Sequence, residues 1–196
     1  MDLINRIGQH FADSVRVKQK SLELLARSLA NACESMSRAL LEGGRVFACG
    51  NGGSAADAQH FAAELVGRFE TERRELAAVA LTTDTSILTA VGNDYGFEQI
   101  FSRQLRALGR AGDVLLAIST SGNSGNVIAA IHAAHERGIR VIALTGSEGG
   151  QMRALLQETD ILLAVPDRRT ARIQETHLLL IHCLCDGIDS LLPIGS

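Results

Sequence analysis

Ser119-Thr120-Ser121-Gly122-Asn123-Ser124 places four hydroxyls and a glycine between an apolar run and a helical stretch. A helix start presents unpaired backbone N–H groups and the positive end of the helix dipole, and the hydroxyls add donors. That combination suits a phosphate monoester; a plain serine N-cap needs one hydroxyl, not four. A second turn, Gly50-Asn51-Gly52-Gly53-Ser54, offers a backbone cradle with Ser54 as N-cap of the helix after it. Taken alone it reads equally well as a tight strand-to-helix connection. Neither turn continues into GK[ST] or matches GxGxxG, so a nucleotide is not indicated. His60 and Glu64 stand at i and i+4, on one helix face. The spacing suits a shared metal ion, or a base beside its hydrogen-bond partner, though taken alone it reads first as a polar pair on a solvated face. His182 falls in an apolar stretch where burial is expected, and Gln174 gains meaning only from what lies near it. His10, His132 and His135 read as surface residues. Cys183 and Cys185 diverge on a helix and read as small core hydrophobes.

The elements that must position these groups follow from hydrophobic patterning. Apolar runs at 45–49, 77–81, 113–118, 140–145 and 160–165 read as strands. Helical stretches lie between and after them, at 55–69, 84–91, 97–109, 124–137, 149–156 and 170–191. Continuous apolar strands alternating with helices predict a parallel sheet covered on both faces. Ligands of such sheets sit beyond the carboxyl ends of the strands. Those ends are Gly50–Ser54, Thr82–Thr85, Ser119–Ser124 and Gly146–Gly150. Before the first strand, Leu3, Ile7, Phe11, Val15, Leu22, Leu25, Leu29 and Met36 recur at helical steps. The spacing predicts two helices, about 3–28 and 30–42, closed by Gly43-Gly44 and packed on the core or on another subunit.

Composition narrows the function classes. The chain has 196 residues, 19 Lys and Arg against 22 Asp and Glu, and a net charge of −3, which disfavours a nucleic-acid footprint. One Tyr and no Trp leave a core of Ala, Leu, Ile and Val, and 19 glycines favour α/β layers with tight turns. No apolar segment approaches the ~20 residues of a membrane span. Four cysteines without disulfide-scaffold density, and a start without a secretory pattern, lead us to expect a reduced, cytoplasmic protein and a single domain over 1–196.

CGNGGSAADAQHFAAE, VGNDYGF, DVLLAISTSGNS and ARIQETHLLLIH together resemble the phosphoheptose isomerases of the sugar isomerase (SIS) superfamily, over nearly the whole chain. The resemblance implies a three-layer α/β sandwich with a five-stranded parallel sheet of flavodoxin-like type, and an N-terminal helical extension (1–43) at a subunit interface. It implies a cytoplasmic homotetramer that converts sedoheptulose 7-phosphate to D-glycero-D-manno-heptose 7-phosphate through an enediol, toward lipopolysaccharide heptose. Carried over by position, substrate-binding residues are Asn51, Gly52, Gly53, Ser54, Glu64, Asn93, Asp94, Ser119, Thr120, Ser121, Ser124 and Gln174. Zinc ligands are His60, Glu64, Gln174 and His182, with one zinc per subunit, and the proton-transfer pair is Glu64 and His182. The chain also resembles a non-catalytic SIS protein that associates with the bacterial replication initiator, in RFETER (68–73) and CLCD (183–186). The presence of both Glu64 and His182 decides for the enzyme.

Spacing adds one inference. Gln174 and His182 are eight residues apart, about 12 Å along a helix. Two donors on one zinc lie only about 4 Å apart, given bonds near 2 Å. One helix therefore does not deliver both to a single ion, and His182 is expected to reach a site whose Gln174 comes from another subunit.

Overall fold

The five apolar runs are strands, and their alternating side chains split between two cores. The computed structural model describes residues 2–192. Strands β1 (Val46–Cys49), β2 (Ala78–Ala80), β3 (Val114–Ser119), β4 (Arg140–Gly146) and β5 (Ile161–Val165) form one parallel sheet in the order β2-β1-β3-β4-β5. The helices are α1 (Leu3–Leu41), α2 (Gly53–Val66), α3 (Thr85–Tyr95), α4 (Ser102–Leu108), α5 (Gly125–Glu136), α6 (Gly150–Leu155) and α7 (Thr170–Leu191). Val46 and Ala48 of β1, with Val114, Leu116 and Ile118 of β3, pack against α1, α2 and α7. Phe47, Cys49, Leu115 and Ala117 face the opposite layer, where Leu105, Val127 and Ile131 cover them. Both faces of β1 and β3 are buried, which is why their sequences read as continuous apolar runs.

Two helix expectations are corrected. Residues 3–28 and 30–42 form one 39-residue helix, α1. Ser28-Leu29-Ala30 offers no proline or glycine to interrupt it, and Ala favours helix most of all residues. It ends at the predicted glycines, where Gly44 N–H bonds the Ala39 carbonyl at 2.8 Å. The stretch 97–109 is a 3-10 turn, Phe97–Gln99, followed by α4. Between them Ile100 and Phe101 sink into the core.

Burial along α1 begins at Val17; Leu3, Ile7, Phe11 and Val15 ahead of it are exposed. α7 lies between α1 and α2 on the same face of the sheet. Its fully buried histidine is His177, whereas His182 is only half-buried, contrary to expectation. Nor is His135 a free surface residue: its Nε2 lies 2.7 Å from the buried carboxylate of Asp160. All four cysteines are free; Cys183 is half-buried and the other three are buried.

His177 Nε2 donates to the Thr145 carbonyl at 2.9 Å, tying α7 to the end of β4. Burial pulls this imidazole down from 6.5 to about 4, against the smaller opposing effect of the Thr145 carbonyl. The folded protein therefore holds fewer protons than the unfolded chain between those values. The stability from neutral His177 is complete above pH 6.5 and is lost as pH falls toward 4. At 1.36 kcal/mol per unit the loss is on the order of 3 kcal/mol. Urea unfolding of His177→Gln, whose amide can still reach the Thr145 carbonyl, should show a flatter stability profile over this range than the parent. Identical profiles would contradict the assignment.

Candidate active site

Sheet order reverses between β1 and β3: β2 lies to one side of this pair, β4 and β5 to the other. Outward-turning connections there open a crevice at the strand ends. The turns over it are Gly50–Ser54 and Ser119–Ser124, the two singled out by sequence. A reciprocal amide pair joins them. Asn51 Nδ2 donates to Asn126 Oδ1 at 2.8 Å, and Asn126 Nδ2 returns a bond of 2.8 Å to Asn51 Oδ1.

The serine turn is organised as a set of hydroxyls. Ser119 Oγ, buried at the end of β3, lies 2.9 Å from Ser124 Oγ and 3.4 Å from Ser121 Oγ. Ser124 is the N-cap of α5, yet its hydroxyl makes no capping bond. The first N–H groups of that helix thus face the crevice without a side-chain acceptor from the cap. The turn is braced from behind, where Gly122 carbonyl accepts from Met152 N–H at 2.9 Å and Asn123 Oδ1 from Gln151 N–H at 2.9 Å. Gly122 has φ +67°, and a Cβ there would lie 2.1 Å from the Gly149 carbonyl oxygen, so the turn admits only glycine.

Ser54 does not cap α2. The helix begins at Gly53 behind Gly52, which has φ +55°, and Ser54 is buried inside the first turn. Beside this turn a cavity of about 160 Å³ is lined by Asn51, Thr82, Leu88, Phe97 and Phe101. Asn93 and Asp94 sit on the last turn of α3, exposed and bonded to each other at 2.7 Å. Among the described residues no hydrogen bond joins them to either crevice turn.

The acid and the imidazoles lie where α2 packs against α7. At the upper level, Gln174 rests on Gly53; a Cβ at Gly53 would stand 2.5 Å from Gln174 Nε2. At the lower level, His60 and His182 meet edge to face with ring centroids 5.1 Å apart, and Phe69 backs His182 at 5.6 Å. Glu64 Oε1 is 2.8 Å from His60 Nε2. The contacts advance in the same direction along both helices, by seven residues on α2 and eight on α7. These correspond to about 10 and 12 Å of rise. Hence α2 and α7 run parallel, and Gln174 and His182 of one chain serve different levels.

Asp57, which the sequence reading passed over, precedes His60 by three residues on the same face of α2. Burial raises its carboxyl above the usual carboxylate value, and the neighbouring His60 opposes the shift. Its Oδ2 is buried without a donor among the described residues. The i, i+3, i+7 series Asp57, His60, Glu64 was visible in the sequence. Asn126 gave no such signal, because only the fold brings it to Asn51.

Two imidazoles and a carboxylate are zinc-type donors. Within one chain the expected set nevertheless does not close. Gln174 lies a level away, and among the described residues no three His, Cys, Asp or Glu side chains converge to hold a metal.

A family model described as SIS domain matches residues 9–146. The phosphoheptose isomerase of Dechloromonas aromatica is 65% identical over 192 residues, covering 98% of both chains. The solved phosphoheptose isomerase of Neisseria gonorrhoeae aligns at 61% identity with a TM-score of 0.93, over 97% of this chain and all of that one. That of Francisella tularensis aligns at 45% identity with a TM-score of 0.94, again over 97% and 100%.

Asn126→Ala should strip the half-buried Asn51 amide of both its bonds and unlink the two crevice turns. Leaving such a group unpaired costs about 1–3 kcal/mol. Urea denaturation is expected to show that loss, and an unchanged midpoint would mean that the amide pair holds nothing.

Proposed function

We propose, from the premise that this chain belongs to the SIS domain family and is a phosphoheptose isomerase, that its serine turn grips a sugar phosphate while Glu64 and His182 move the proton. The reaction interconverts sedoheptulose 7-phosphate and D-glycero-D-manno-heptose 7-phosphate, an aldose–ketose isomerisation in heptose synthesis. Its chemistry sets the roles. Loss of a proton from C1 turns the C1–H electron pair into the C1=C2 bond of an enediol, while the C2 oxygen gains a proton. Reprotonation at C2 and loss of the hydroxyl proton at C1 leave the carbonyl at C1.

Glu64 supplies the carboxylate that takes and returns the carbon-bound proton. His60, at 2.8 Å from Oε1, fixes that carboxylate, leaving Oε2 for substrate. His182, packed on His60, serves the oxygens. The phosphate is held by Ser119, Thr120, Ser121 and Ser124 and by the open start of α5, with Asn51, Gly52, Gly53 and Ser54 closing the other wall. Asn93, Asp94 and Gln174 contact the sugar. The observation that carries this reading is His60, bonded to Glu64 on one side and packed against His182 on the other, in a helix pair that starts at the phosphate crevice. Along α2, two turns separate Gly53 from His60 and three separate it from Glu64. The same pairing of acid and imidazoles disfavours a purely structural role as a partner of the replication initiator.

We read the working form as a cytoplasmic homotetramer with shared sites. The exposed apolar stripe Leu3, Ile7, Phe11 and Val15, the absence of any buried residue on α3, and the two levels of Gln174 and His182 all support this. Gln174 from a second copy would complete the set of His60, Glu64 and His182, and zinc bound there would polarise the carbonyl as a Lewis acid. Free cysteines suit a reducing compartment, and the product suits assembly of lipopolysaccharide heptose.

With sedoheptulose 7-phosphate, Glu64→Gln should lose about 10²–10⁴-fold in kcat, the usual worth of a general base. Ser119→Ala and Ser121→Ala should instead raise KM with kcat largely kept, since phosphate contacts act far from the reacting carbons. An active Glu64→Gln protein would remove Glu64 from its role. Phe11→Glu should dissociate the assembly in sedimentation runs and abolish turnover; a fully active monomer would overturn site sharing.

A further inference from the structure

The carboxyl end of α2 carries an anchor that the proton-transfer reading leaves unused. A helix leaves its last four carbonyls without intrahelical donors. Here one side chain from the irregular segment after the helix takes two of them, those of Glu64 and Leu65, and the Gly67 carbonyl just beyond, while Gly67 N–H takes that of Ala63. Arg73 donates Nη2 to the Glu64 carbonyl at 2.7 Å, and Nη1 to those of Leu65 at 2.9 Å and Gly67 at 3.4 Å. Its Nε donates to Asp189 Oδ1 on α7 at 2.6 Å. Both side chains are more than nine-tenths buried, at 8% and 7% exposure, so this ion pair is shielded from the solvent that weakens surface pairs.

The placement ties this anchor to the site. Asp189 follows His182 by seven residues, two turns along the same face of α7. On the other side, one of the carbonyls held by Arg73 belongs to Glu64 itself. Arg73 thus joins the residue that carries the carboxylate to the helix that carries the imidazole. Only a planar fork of donors satisfies this arrangement; a lysine ammonium offers three donors from a single point.

We propose that Arg73, with Asp189, is a positioning residue for proton transfer. It fixes the register of α2 on α7, and through it the reach of Glu64 beside His60 and His182. The inference rests on Glu64 being the proton-transfer group. Displacements of about 1 Å in such sites cost on the order of 100-fold in rate, so a loosened register should appear in kcat rather than in binding.

The test is Arg73→Lys and Asp189→Asn in the assembled enzyme, with Glu64→Gln as the control. Arg73→Lys is expected to lose at least tenfold in kcat with KM within about twofold of the parent. Asp189→Asn, which keeps an acceptor for Nε, should lose less. Arg73→Ala, where it folds, should regain part of its kcat when guanidinium is added at millimolar concentration, and urea should give no such recovery. Should Arg73→Lys not fold, the same split in kcat and KM is read from Asp189→Asn. A kcat within twofold of the parent in both conservative variants, with Glu64→Gln inactive, would overturn the positioning role and leave a structural brace only. Turnover in Glu64→Gln would overturn the role of Glu64 itself, and with it this inference.

Discussion

The parallel docking of α2 on α7 is the constraint on which the rest of the molecule turns. It sets Gln174 against Gly53 at one level and His182 against His60 at the next. Glu64, His60 and His182 sit on these two helices, and both begin near the carboxyl ends of strands. The sheet supplies the platform for that pairing. β1, buried on both faces, gives α2 a fixed start, and the bond from His177 to the Thr145 carbonyl ties α7 to the end of β4.

Work is divided along α2. Its start faces a crevice built from backbone donors, hydroxyls and an amide pair, groups that stabilise an anion without taking part in proton transfer. Two turns further on, side chains take over, with the carboxylate held by one imidazole and a second imidazole packed on the first. Asp57 lies between the two ends, its carboxyl raised by burial. On the proposed function, the substrate's inert phosphate and its reacting carbons would be met by different chemistries, at a separation set by helix rise.

Much of this was legible in the sequence. The strands followed from apolar runs because both faces of the sheet are covered. The two crevice turns followed from the rule that loops at strand carboxyl ends bind ligands. Four hydroxyls in Ser119–Ser124 exceeded what an N-cap requires, and three of them do form one cluster. The break expected near Ser28 had no proline or glycine behind it, so there the local sequence already favoured the continuous α1. Local patterns failed where the deciding contact is distant in sequence. The apolar context of His182 suggested burial, yet the core histidine is His177, which finds the Thr145 carbonyl only in the fold. Ser54 looked like a cap because residue type was visible and the conformation of Gly52 was not. The pairs Asn51–Asn126 and Arg73–Asp189 span 75 and 116 residues, beyond the reach of any spacing rule.

On the proposed function, the carboxylate of Glu64, held in the α2–α7 pair, removes a carbon-bound proton from the ketose. Proton NMR of sedoheptulose 7-phosphate incubated with enzyme in heavy water reads that step without relying on product release. The intact protein should place deuterium on C1 of the ketose or C2 of the aldose, and the folded Glu64→Gln protein should leave both positions protiated. Deuterium incorporation at the parental rate in Glu64→Gln would contradict the claim.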